Sequence, residues 1–226
     1  DTLKGDAGAD ELLGGDGSDT AVYDDAAGVK ASLADPSVNT GTAAGDTYVS
    51  VENLAGGDGD DTLIGDAINN ILMGFKGKDD LSGGAGDDTL LGGLGDDKFK
   101  GDAGADIHDG GDGIDEAYYD DVNGVSVSLS SPGTINTGAA IGDTYISIEN
   151  LRGGVGNDTL EGDNLVNRIF GGLGNDTIRG LGGNDTLEGE EGNDSLDGGD
   201  GDDMLKGGIG DDTLTGGAGA DTLEGE

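Results

Sequence analysis

The sequence predicts an all-β solenoid of flattened 18-residue coils, widened at two places by larger β inserts. Three observations predict it: a nine-residue period of glycine and aspartate, an apolar residue at one fixed place in that period, and two longer segments that repeat each other. The composition agrees. The 226-residue chain holds 51 Gly, 2 Pro and no Cys, only 4% of it is aromatic, and 49 Asp+Glu against 10 Lys+Arg leave a net charge of −39. A conventional core is not expected at this composition, and 2 Pro exclude a collagen helix. A polyanion repels phosphates, so nucleic acid is excluded as a partner and a cation is expected. The lack of Cys removes disulfides, zinc ribbons and thiol nucleophiles together. No apolar run is long enough to span a membrane, and the N-terminus carries no basic-then-apolar export signal.

Taken in order, residues 1–22 read as the end of a nonapeptide block, 23–55 as an insert, 56–118 as a block of seven nonapeptides, 119–152 as a second insert, and 153–226 as a block of eight. The period is Gly-Gly-x-Gly-x-Asp-x-Leu-x. Over seventeen copies the first position is always Gly, the fourth is Gly in fifteen, the sixth is Asp in fifteen, and the eighth is Leu, Ile or Phe in fourteen. Asp1 to Lys4 are the tail of a further copy, so the chain is expected to be a piece of something longer. The inserts match at Gly28-Val29 and Gly124-Val125, at Gly45-Asp46-Thr47-Tyr48 and Gly142-Asp143-Thr144-Tyr145, and at Val51-Glu52-Asn53-Leu54 and Ile148-Glu149-Asn150-Leu151. Each is followed by one ordinary nonapeptide and then a degenerate one, in which Ile68 or Leu165 replaces the fourth Gly and Asn70 or Asn167 replaces the sixth Asp.

The first six positions read as a turn, because Gly adopts positive φ without steric cost, and the last three as a short strand with its middle side chain facing in. Two nonapeptides then make one coil, which stacks like turns about 4.8 Å apart on one edge. In the last block the sixth-position carboxylates fall into two rows, Asp158, Asp176, Asp194 and Asp212, and Asp185, Asp203 and Asp221 behind Asn167. Carboxylates that close repel by about 1 to 3 kcal/mol per pair at intermediate dielectric. A bound cation removes the conflict. Carboxylate and peptide oxygens without thiolate or a His cluster specify a hard ion, and calcium fits better than magnesium, which demands a stricter octahedron.

Gly207-Gly208-Ile209-Gly210-Asp211-Asp212-Thr213-Leu214-Thr215 resembles the hemolysin-type, or RTX (repeats-in-toxin), calcium-binding nonapeptide, a motif long recognised as a calcium repeat. The resemblance covers about two thirds of the chain. It implies a right-handed parallel β-roll, with Ca²⁺ clamped between turns two repeats apart, about ten ions in all. It also implies a secreted, extracellular or cell-surface bacterial protein, exported unfolded through a type I secretion apparatus and folding on external calcium. Carried over by position, the ligands are Asp61, Asp79, Asp97 and Asp115 on one edge, Asp88 and Asp106 on the other, the seven Asp of the final block, and Asp1 paired with Asp19. Asp10 lacks a visible partner, and sites at Asn70 and Asn167 are expected to be weak or empty.

The remaining residues take plainer readings. Eighth-position Leu side chains form the core, and His108, at an eighth position, is a tolerated substitution there. Ala21 and Ala117 precede the inserts and leave room for a wider coil. Lys76, Lys78, Lys98 and Lys100 sit on solvated faces. Val29-Ala31-Leu33, Val125-Val127-Leu129, Val49-Val51 and Ile146-Ile148 alternate as half-buried strands do. Asp46, Asp143, Glu52 and Glu149 are read as turn or stacking residues in preference to extra ligands, and Tyr23, Tyr48, Tyr119 and Tyr145 as core fillers. No nucleophile elbow, zinc-protease motif, phosphate loop or complete EF-hand loop occurs, so no enzyme is expected; any catalytic domain lies outside this fragment. The segment reads as a structural or accessory module, the alternatives being the non-catalytic part of a polysaccharide-modifying or hydrolytic secreted enzyme, or a segment of an adhesin or surface-layer protein.

Overall fold

The computed structural model describes residues 1–24, 26–131 and 136–225. It is an all-β parallel solenoid; the helical structure among the described residues is three single 3₁₀ turns, Pro36–Val38, Gly41–Ala43 and Gly138–Ala140. The chain divides into two compact units, one of residues 1–115 with Thr144–Ser147, the other of 116–143 with 148–226.

In the first unit a seven-stranded parallel sheet runs Thr2–Leu3, Thr20–Val22, Asn53–Ala55, Ile71–Lys76, Thr89–Leu94, Ile107–Asp112 and Thr144–Ile146. Thr89 pairs with Ile71 on one side and Ile107 on the other, so like positions stack one 18-residue coil apart. The alternate strands Thr62–Ile64, Asp80–Ala85 and Lys98–Ala103 pair in the same register. The second unit repeats the scheme. Glu116–Tyr118, Asn150–Arg152, Arg168–Leu173, Thr186–Glu191, Met204–Ile209 and Thr222–Glu224 stack in one sheet, and Ser126–Ser128, Thr159–Glu161, Thr177–Gly182, Ser195–Asp200 and Thr213–Ala218 in another.

The strands correct one expectation. In complete coils they are six residues long, as in Thr89–Leu94, and run on through repeat positions one to three. Gly93 pairs with Gly111 and Leu94 with Asp112, so only positions four to six make the turn. The second-position Gly permits this, because φ there is about +100°, as at Gly84 (98°) and Gly208 (99°), and a strand can kink at that residue without losing its ladder.

The first insert transfers one face from sheet to sheet. Its strand Lys30–Ser32 pairs forward with Thr62–Ile64, while Thr47–Val49 pairs back with Glu11–Leu13. An antiparallel bridge between Lys30 and Thr40 ties the loop between them. One small sheet therefore ends on the insert and a new one begins there. In the second unit Ser126–Ser128 founds the five-stranded sheet in the same way, with a bridge from Ser126 to Thr137.

The eighth-position side chains of the complete copies form the core as expected, apart from half-buried Leu214 and exposed Leu223. Leu63, Leu72, Leu81, Leu90 and Phe99, and Leu160, Ile169, Ile178 and Leu187, are fully excluded from solvent; each is worth about 1.5–3 kcal/mol of burial. Ala21, Tyr23, Val29, Ala31 and Ala43 fill the wider coil of the first insert. His108 is fully buried, stacked 5.9 Å from Phe99 with Tyr145 edge-on at 5.3 Å. Burial drives its pKa down to about 3, so it serves the core as a neutral aromatic ring. Lys76 and Lys78 lie on solvated faces and pair with Asp58 and Asp96.

Candidate metal centre

The turns place each sixth-position Asp beneath the backbone of the coil before it. The Asp79 Oδ1 accepts the Asp61 N–H at 2.8 Å, Asp97 accepts from Asp79 at 2.8 Å, and Asp115 accepts from Asp97 at 2.7 Å. On the other edge Asp106 accepts from Asp88 at 2.8 Å. In the second unit one row links Asp158, Asp176, Asp194 and Asp212 by bonds of 2.8–2.9 Å, and the other links Asp185, Asp203 and Asp221 by bonds of 2.8 and 3.1 Å. Asp1 reaches the Asp19 carboxylate through its terminal amino group. The structure thus brings the expected residues into their rows.

The second carboxylate oxygen is what makes these rows a candidate metal centre. The Oδ2 atoms of Asp19, Asp79, Asp88, Asp97, Asp176, Asp185, Asp194, Asp203 and Asp212 are buried without a hydrogen-bond partner. Each lies over the first Gly of its own repeat. A Cβ added to Gly189 would stand 2.3 Å from the Asp194 Oδ2 and 2.5 Å from the Gly207 carbonyl oxygen; at Gly198 the distances to the Asp203 Oδ2 and the Gly216 oxygen are again 2.3 and 2.5 Å. A carboxylate and a peptide carbonyl therefore converge on a cradle that any side chain would fill. Fixed oxygens with no donor facing them suit a hard cation and nothing softer.

The electrostatics point the same way. Burial pushes the Asp79 carboxyl up to about 7, and Asp176 and Asp185 up to about 6, with neighbouring carboxylates adding to the rise and the accepted N–H opposing it. Burial also raises Asp88, Asp97, Asp158, Asp194 and Asp203. A buried row of this kind is relieved either by protons or by a bound cation.

Four features escape a reading of the repeat alone. The fifth-position Asp and Asn residues form a second ladder of opposite sense. The Oδ1 of Asn157 accepts the Asn175 N–H at 2.8 Å, Asn175 accepts from Asn193 at 2.7 Å, and Asp60 accepts from Lys78 at 2.9 Å. The frequency of Asp and Asn at that position was the available signal. Asp10 does have a partner, since its N–H donates 2.9 Å to Oδ1 of Asp46, an insert residue thirty-six positions away and fully buried. Glu52 stands where the row calls for Asp, its longer side chain accepting the Asp19 N–H at 2.9 Å. Finally, Asn70 and Asn167 turn their amides onto the Glu52 and Glu149 carbonyl oxygens at 2.7 and 2.9 Å.

The defects at these Asn repeats have a physical cause. The insert joins Thr47–Val49 to Asn53–Ala55 through only three residues, with Ser50 at φ 51°. The Glu52 N–H is spent on the Asp19 carbonyl, so the group facing residue 70 is an acceptor. A carboxylate there would meet an oxygen; an amide meets a partner.

The family model of the RTX calcium-binding nonapeptide repeat matches residues 1–24, 55–90, 82–117, 146–164, 161–196 and 197–226. No curated protein matches the chain.

Proposed function

Since the chain belongs to the RTX calcium-binding nonapeptide repeat family, we propose that its coils fold on calcium and act as a structural module of a secreted bacterial protein. The repeats bind calcium and form a structural β-roll. Family membership fits an extracellular or cell-surface protein that leaves the cell unfolded through a type I secretion apparatus, and catalysis would belong to other parts of such a protein. No helix among the described residues is long and apolar enough to cross a membrane.

The observation that carries this reading is the repeated buried Oδ2 atom without a partner. Each costs about 1–3 kcal/mol or more while uncompensated, and a net charge of −39 adds repulsion throughout. The folded coil is thus disfavoured without ions, and binding energy becomes folding energy. Extracellular calcium modules bind at roughly 0.1–1 mM, which leaves such a chain unfolded at cytosolic calcium. The proposed ligands are Asp1 with Asp19; Asp79, Asp97 and Asp115; Asp88 and Asp106; Asp176, Asp194 and Asp212; and Asp185, Asp203 and Asp221, while Asp61 and Asp158, expected as ligands from their position, have both carboxylate oxygens engaged by backbone N–H groups.

Substitution within one row tests it. Asp203 bonds to both neighbours, Asp185 and Asp221, whereas Asp221 bonds to Asp203 alone and Asp200 is an exposed third-position residue. Ion counting by native mass spectrometry should show Asp203→Ala losing about two ions, Asp221→Ala about one and Asp200→Ala none. Equal losses from Asp203 and Asp200 would mean a diffuse acidic cloud in place of paired turns.

A further inference from the structure

At each insert the rows of partnerless oxygens are interrupted, and protein donors stand in their place. The Asp46 carboxylate occupies the row position above Asp10, yet its Oδ2 accepts the Tyr23 hydroxyl proton at 3.0 Å. Tyr23 also shares a 2.6 Å hydrogen bond with the Tyr48 hydroxyl, and Tyr48 accepts from the Asn39 amide at 3.0 Å. On the opposite edge the Asn70 amide donates to the Glu52 carbonyl oxygen, and its own Oδ1 accepts the Asp66 N–H at 2.8 Å. Asp61, first in its row after the insert, has both oxygens engaged by backbone N–H groups, Oδ1 by Val29 and Oδ2 by Gly57, each at 2.8 Å.

The second unit repeats these elements with one difference, the Asn136 amide, counterpart of Asn39, donating to the Asp143 carbonyl oxygen at 3.3 Å. The Tyr119 hydroxyl donates to the Asp143 Oδ2 at 3.1 Å, and the Asn167 amide to the Glu149 carbonyl at 2.9 Å. Asp158 accepts from Val125 and Gly154 at 2.8 and 2.9 Å. A hydroxyl, an amide or a peptide N–H thus supplies the positive pole at these positions, whereas Asp79, Asp97, Asp176 and Asp194 present a bare buried oxygen.

We propose that each insert, with the two repeats that follow it, is a metal-free junction in which protein donors replace ions, so that calcium fills the chain as separate groups of sites. This rests on the calcium-folding reading above and specifies how the sites are regulated. Cooperativity between ions then stops at a junction, and each group responds to calcium on its own.

The test uses the full chain and calcium alone. Asn70→Asp and Asn167→Asp each replace a donor with a carboxylate facing a carbonyl, a conflict a cation resolves; native mass spectrometry should count about one additional ion per substitution. Asn70→Ala should leave the count unchanged. Tyr23→Phe strips the donor from a buried carboxylate and should raise the calcium midpoint of folding about twofold, the loss of one charged hydrogen bond spread over several ions. Unchanged counts in both Asn→Asp variants overturn the proposal, as does a Tyr23→Phe midpoint equal to that of the parent chain. Should an Asn→Asp variant not fold, the Tyr23→Phe midpoint decides alone. If the parent chain itself does not fold with calcium, the functional reading fails; if it folds normally while both Asn→Asp ion counts or the Tyr23→Phe midpoint stay unchanged, only the junction fails.

Discussion

Replacing Gly189 by Ala asks whether the first glycine of the repeat is there for the carboxylate or for chain flexibility. The new Cβ would lie 2.3 Å from the Asp194 Oδ2, 2.8 Å from its Cγ and 2.5 Å from the Gly207 carbonyl oxygen. Relief requires both oxygens to retreat by roughly 1 Å, since these contacts fall well inside van der Waals separation. That displacement takes Asp194 off the Asp176 N–H, which its Oδ1 now accepts at 2.8 Å. The loss is a hydrogen bond to a charged group, about 1.5–3 kcal/mol, together with the cation cradle. Gly182 is the control: it lies in the neighbouring repeat, its φ is not positive, and its nearest would-be contact is 3.4 Å away, at the Asn164 Oδ1. Gly182→Ala should stabilise by about 0.4–1 kcal/mol through the unfolded chain. In a calcium titration followed by circular dichroism, Gly189→Ala should fold only at several-fold higher calcium, and Gly182→Ala at equal or lower calcium. Equal midpoints for the two variants would refute the reasoning.

Two other perturbations probe the same rows. Asp79, Asp176 and Asp185 have folded pKa values of about 7, 6 and 6, above the ordinary carboxylate value. The metal-free fold therefore takes up protons, and its stability is greatest below about pH 4 and is lost as the pH rises through 6 to 7. In chelator, ellipticity should show β structure growing as the pH falls from 7 to 4; β signal that shrinks on acidification in chelator would contradict this. Leu181 occupies a second repeat position at φ 77°, where Gly is usual; Leu181→Gly should raise denaturant stability in saturating calcium by about 1 kcal/mol, and a loss of stability would show that its side chain packs to more effect than the strain it bears.

The nine-residue period was enough to place Leu187 in the core and Asp194 above Asp176, because a strict repeat converts sequence distance directly into spatial register. What it concealed were interactions the period does not require. Glycine at positions one and two suggested a turn, but Gly93 pairs within a strand because the ladder above and below it is already aligned. Asn70 looked like a damaged ligand. Only the three-residue turn beneath it, with the Glu52 carbonyl turned upward, reveals it as a donor matched to an acceptor. Asp46 and Glu52 read as turn or stacking residues because their partners, Asp10 and Asp19, lie thirty-six and thirty-three positions away, across an insert whose length breaks the arithmetic.

The opposed side-chain ladders make the two faces of every coil chemically different. The face toward the following coil offers sixth-position N–H groups and fifth-position acceptors, as at Asp176 and Asn175; the face toward the preceding coil offers sixth-position carboxylates and fifth-position N–H groups. Two coils fit only head to tail, since turning one over would set carboxylate against acceptor along the whole edge. Coil addition therefore resembles growth of a polar crystal, in which each layer dictates the orientation of the next and a reversed layer finds no seat.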